Sequence, residues 1–115
     1  MKKRDYKDYL QDIANSIDDV KSFTENITFE DFTMDKKTMN AVIRSIEVMG
    51  EATKRIPKSI RDKYSSIPWK KMAGMRDKMI HEYSGVDIEI LWKTMKEDVP
   101  SLKPLIQNVL KDLGE

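Results

Sequence analysis

Apolar residues that return every three or four positions, in four successive blocks, limit this chain more than any other feature. In the first block Tyr9/Leu10, Ile13, Ile17, Val20 and Ile27 recur at helical steps, predicting an amphipathic helix over residues 5 to 27 with an acidic outer face. Phe29 and Phe32 follow in a stretch that breaks the pattern, and they are expected to pin a loop over 28–33 to the core. Met39, Val42/Ile43, Ile46, Met49 and Ile56 predict a second helix over 35–56. Asp35 is its expected N-cap, Lys54 and Arg55 complement its C-terminal dipole, and Pro57 blocks its continuation. Residues 57–64 read as a short helical turn.

The third helix starts at Pro68-Trp69, carries Met72, Met75, Met79 and Ile80 inward, and is expected to stop around Tyr83-Ser84-Gly85. Asp87 caps the last stretch, where Ile88, Leu91/Trp92, Met95, Val99, Leu102, Ile106, Val109 and Leu113 stay in helical phase. Pro100 and Pro104 fall inside it, so one helix kinks there or two stack nearly in line. No strand alternation, repeat or low-complexity tract interrupts the series. The expectation is an all-α fold, a single domain over 1–115 built as a bundle of four main helices, the last kinked or split near Pro100. Gly50 sits inside the second helix, where it costs about 1 kcal/mol against alanine, and this points to a close helix contact. The methionines near the middle helices read as adaptable packing.

Composition removes several function classes. With no cysteine there are no disulfides and no thiolate metal site, and one histidine cannot build a zinc cluster. The four glycines are scattered, so there is no phosphate-binding loop. A serine–histidine–acid arrangement cannot be argued from the lone histidine. No apolar run approaches the roughly 20 residues needed to span a bilayer, and the basic N-terminus lacks the apolar stretch of a signal peptide. A cytoplasmic location with no membrane partner is the expectation.

Net charge is +1, but it is unevenly placed. From Asp5 to Asp35 nine acids face two bases, and from Lys54 to Lys78 nine bases face two acids. A polyanion-binding face needs such asymmetry, although a charge run is also an ordinary solvated surface. The basic block leads into Arg76-Asp-Lys-Met-Ile-His81-Glu-Tyr83. Arg76 can grip two phosphate oxygens, His81 can move a proton near neutral pH, and Tyr83 offers a phenol. Equally, a histidine near a helix C-terminus is a favourable dipole partner without any chemistry. On an ideal helix Arg76 and His81 lie about 140° apart, so convergence requires a loosened helix end or two copies of the segment facing each other. Glu51, beside Gly50, faces either this trio or solvent. Metal-free chemistry on a polyanion, or no chemistry, is what remains.

Arg76-x-x-x-x-His81-x-Tyr83 resembles the motif of HepT-like toxins of the HEPN (higher-eukaryote and prokaryote nucleotide-binding) superfamily. The stretch from Arg44 through Gly50-Glu51-Ala52 is similar to the family's Gly-Glu-Ala helix, and Ile67-Pro68-Trp69 to its entry into the motif helix. Val86-Asp87, Leu91-Trp92 and Val99-Pro100-Ser101-Leu102 resemble its C-terminal helix. Where the family often has asparagine after the arginine, this chain has Asp77.

The resemblance implies a ribonuclease toxin of a type II toxin–antitoxin pair, an all-α homodimer whose two motifs meet in one cleft. His81 would act as general base or acid on the ribose 2′-hydroxyl of RNA, and Arg76 would stabilise charge on the scissile phosphate. Asp77 and Glu51 would support them. The products would be a 2′,3′-cyclic phosphate and a 5′-hydroxyl, with no cofactor or metal. The implied partner is a nucleotidyltransferase antitoxin of the MntA type, which would transfer AMP to Tyr83 and so block the cleft. The competing expectation is a non-catalytic subunit that binds nucleotide or such a partner.

Overall fold

The computed structural model describes residues 4–81 and 85–114, with Ile80 and His81 as backbone alone. Asp5 opens the first helix, α1 (Tyr6–Thr24), by accepting from the Lys7 and Asp8 amides, while the Asp8 carboxylate accepts from Asp5 N in return. Leu10, Ile13, Ile17 and Val20 bury its inner face. The helix stops at Thr24, short of Ile27, because Asn26 takes a left-handed φ of 62°. Residues 28–33 are not a loop. Thr28 caps a short helix, α2 (Phe29–Thr33), which buries Phe32 fully and stands Phe29 edge-on to Trp92 with ring centroids 5.4 Å apart. Two aromatics three apart share one helical face, and docking that face on Trp92 stabilises a turn whose periodicity is too short to read.

Asp35 caps α3 (Lys36–Lys54) through the Thr38 amide at 3.0 Å and the Thr38 hydroxyl at 2.6 Å. α3 packs along α1, and α1 also packs along the C-terminal helix. A short α4 (Lys58–Lys63) follows Pro57. The third predicted helix is broken. α5 (Trp69–Ala73) ends at Gly74, and α6 (Met75–Met79) ends where the backbone of β1 (Ile80–His81) pairs antiparallel with β2 (Gly85–Val86). Gly85 stands at φ +81°, so it serves this chain reversal and does not stop a helix there. The 140° separation of Arg76 and His81 therefore never arises, because the helix between them ends at Met79.

Asp87 caps α7 (Ile88–Lys93) through Ile90 N. Thr94–Asp98 form a π-helical turn, and α8 (Val99–Gly114) continues from it. The proline explains the widening. Its ring would clash with the carbonyl four residues back in regular α geometry, and the Val99 amide instead reaches the Thr94 carbonyl. The expected kink or split is thus one continuous path with a π turn before Pro100. The all-α expectation holds, with one two-residue strand pair added to it. The buried side chains form one contiguous cluster in which Met49, Met72, Met75 and Met79 are packing. No helix among the described residues is long and apolar enough to cross a membrane.

The two hydrogen bonds from Thr38, backbone and hydroxyl, hold the Asp35 carboxyl below its ordinary 3.8. A depressed native value stabilises the fold above the ordinary value and ceases to do so as pH falls through the native one. In urea denaturation, Asp35→Ala is expected to unfold at lower urea than the parent at pH 7, with the gap narrowing as pH is lowered beneath 3.8.

Candidate functional site around Arg76

The site is built where α3 meets α5 and α6. Gly50 allows the approach: a Cβ there would lie 3.3 Å from the Ala73 carbonyl oxygen and 3.5 Å from that of Met72. The close contact expected from a mid-helix glycine is therefore real, and backbone is what it touches. One turn before Gly50 on the same face of α3 stands Glu47, and one residue after it Glu51. On the other side, α6 buries Met75 and Met79 and leaves Arg76 and Asp77 outside. The two elements enclose a hollow of about 160 Å³ whose walls include Arg44, Glu47, Glu51, Lys54, Arg76 and Asp77.

Within it, Arg76 Nε lies 3.2 Å from Glu47 Oε2, with both side chains partly exposed. Asp77 is looser: its Oδ1 is 3.9 Å from Arg76 Nη1, beyond hydrogen-bond length, and its side chain is 79% exposed. The ion pair at Nε engages the guanidinium from one edge and leaves Nη1 free of a hydrogen bond among the described residues, able to donate to a phosphate. Glu51 lines the hollow but turns outward, pairing with Lys54 at 3.3 Å. Its place was open between trio and solvent; it stands largely exposed on the rim of the Arg76 hollow.

The backbone of His81 lies in β1, five residues beyond Arg76 and directly after α6. Its side chain lies outside the described residues, and so does Tyr83 altogether. Although three carboxylates line the hollow, no group of three or more histidine or acid side chains among the described residues could hold a metal ion.

Sequence reading missed Glu47. It is 29 positions from Arg76 in the chain, and only the fold joins them. A signal existed nonetheless: Glu47, Gly50 and Glu51 share a face, so a close approach at Gly50 brings the turn on either side of it to the same neighbour.

Fold and site together define an all-α helical domain with an arginine-centred, carboxylate-braced hollow. A family profile described as Ribonuclease HepT-like matches residues 13–109. A Thermococcus cleftensis protein named "Probable ribonuclease HepT" is 54% identical over 109 residues, covering 95% of this chain and 99% of that protein. A "Putative RNase" of Methanocaldococcus jannaschii is 49% identical over 115 residues, covering 100% and 99%. One of Caldanaerobacter subterraneus is 42% identical over 103 residues, covering 90% and 92%. No solved structure matches the chain. The chain belongs to the HepT-like ribonuclease family.

A half-exposed ion pair contributes under about 1 kcal/mol to folding, so Glu47→Gln is expected to leave the urea midpoint nearly unchanged. The same substitution is expected to loosen the arginine. Nitrogen-15 relaxation of Arg76 Nε, read in parent and variant, should show a lower order parameter in Glu47→Gln.

Proposed function

We propose that the chain is an endoribonuclease, the toxin of a type II toxin–antitoxin pair, which cleaves RNA without a metal in a cleft shared by two copies. The observation that carries the reading is the bracing of Arg76. The family's motif arginine stands at an open hollow, held at Nε by Glu47 and with Nη1 able to donate. A guanidinium so placed can meet the charge that develops on a scissile phosphate.

In the proposed reaction the ribose 2′-hydroxyl is the nucleophile, so the protein need supply only alignment, proton transfer and charge stabilisation. His81 takes the 2′-hydroxyl proton as the oxygen attacks phosphorus. The P–O5′ bond breaks, and the departing oxygen takes a proton from His81 of the partner subunit in its imidazolium form. A 2′,3′-cyclic phosphate and a 5′-hydroxyl result. Arg76 stabilises the extra charge on the non-bridging oxygens throughout. Asp77, 3.9 Å from Arg76 Nη1, is within ion-pair distance without a hydrogen bond and moderates its charge, while Glu51 acts on the hollow through Lys54.

Tyr83, two residues beyond His81, is the proposed acceptor of AMP from an MntA-like nucleotidyltransferase antitoxin. The added phosphate and bulk would stand where the RNA phosphate must sit and would repel it. A cytoplasmic site of action follows from an RNA substrate and such a partner.

The test is cleavage of RNA by purified, unmodified protein in EDTA, with the product ends analysed. Arg76→Ala is expected to lose about 10²–10³-fold in rate, as for removal of one oxyanion donor. His81→Ala is expected to lose about 10²–10⁴-fold, the usual worth of a proton-transfer group. Tyr83→Phe should keep cleavage and lose AMP acceptance. Intact RNA from protein whose mass shows no adduct would overturn the reading in favour of a non-catalytic partner-binding subunit.

A further inference from the structure

The hollow at Arg76 is poorly equipped to hold RNA by itself. Glu47, Glu51 and Asp77 line it together with Arg44, Lys54 and Arg76, so acids and bases are balanced there. A phosphodiester entering it gains a donor for the reacting phosphate but little net attraction. Binding energy for a strand must come from farther out, which is also where it serves to position the reacting centre.

The surface leading away from the hollow has that character. Lys54 and Ala73 on its wall also line a second depression, of about 370 Å³, with Thr53, Arg61, Trp69 and Lys70. Arg61, Trp69 and Lys70 in turn line a third, of about 430 Å³, that takes in Lys71 and Asp62. Shared walls make the three depressions one groove between the end of α3, α4 and the start of α5. Its floor is apolar and fixed, since Trp69 is buried and donates its indole N–H to the Tyr64 carbonyl at 3.1 Å.

Its rim is cationic. Arg61 is anchored by Nε to the Ile56 carbonyl at 3.2 Å, and neither Arg61 nor Lys70 has an ion-pair partner among the described residues. Among the described lining residues Asp62 is the one acid beyond the Arg76 hollow, and it is taken by Lys58 at 2.7 Å; Lys71 is itself paired with Asp98 at 3.5 Å. Lining charge is therefore balanced at the centre and net positive in both outer depressions.

We infer that this groove, rimmed by Lys54, Lys70 and Arg61, is the path of the RNA strand flanking the scissile phosphate, with the lysines and arginine meeting successive backbone phosphates. The inference rests on the ribonuclease reading for its substrate but is tested by binding alone. Among the described residues none lining the groove offers an exposed aromatic to stack a base, so contact is to the backbone, strongly salt-dependent and indifferent to sequence.

The experiment uses full-length His81→Ala protein, which holds RNA without cutting it, and the same protein carrying Arg61→Gln and Lys70→Gln, two residues outside the Arg76 hollow. Both side chains are exposed, and circular dichroism confirms the fold. Fluorescence anisotropy then gives Kd against salt for a dinucleotide and for a single strand of about twelve nucleotides, within the range one such groove covers. Loss of two phosphate contacts should lower the slope of log K on log salt by about 1.4 for the longer strand, raising its Kd several-fold, and leave the dinucleotide unaffected. An unchanged slope and Kd for the longer strand would overturn the path, and so would an equal loss for both ligands. Groove variants that lose a nucleotidyltransferase partner but keep RNA affinity would assign the groove to that protein and reject it as an RNA path. RNA bound along the groove yet never cut by the His81 parent would sink the ribonuclease reading and leave the path standing.

Discussion

The approach of α3 to the end of α5 at Gly50 is the constraint on which the rest depends. A Cβ at that position would lie 3.3 Å from the Ala73 carbonyl oxygen, so any side chain there requires the two backbones to part slightly. Because the backbones touch there, Glu47 reaches Arg76, and the hollow has two walls. The helix pays about 1 kcal/mol in propensity for that glycine. The core does the remaining positioning: Met72, Met75 and Met79 bury the inner side of α5 and α6, which turns Arg76 outward at the junction.

Charge is then sorted by distance. Near Arg76, acids brace and moderate it. Toward Lys70 and Arg61, cations stand with no acid between them, among the described residues, that is not already paired. Two acids of the N-terminal block are themselves paired, Asp12 with Arg4 at 2.7 Å and Asp18 with Lys103 at 2.8 Å. A surface arranged in this way attracts a polyanion along one groove and leaves the reacting centre to discriminate by geometry, not by raw attraction.

The helical blocks were legible because their apolar residues recur over many turns, and the caps at Asp35 and Asp87 because short acids before a helical stripe have one good use. Gly50 announced a contact without naming its partner. The break at Gly74 and the strand pair at Ile80–Val86 were not legible, since the apolar spacing through Met72, Met75 and Met79 reads as one unbroken helix. Nor was α2, which owes its turn to Trp92 across the bundle. In the site, Arg76 stood out by chemistry, and Glu51 was chosen for its place beside the glycine. The contact made instead falls one turn earlier, at Glu47, because the direction in which α3 crosses α6 is a property of the fold and of no local pattern.

The most direct test of this dependence is the rate at which Gly50→Leu protein cleaves RNA, at a temperature where circular dichroism shows it folded. If the close approach builds the site, the rate falls to the level of Arg76→Ala, with Gly50→Ala lying between that and the parent. Cleavage at the parental rate by folded Gly50→Leu protein would contradict the account.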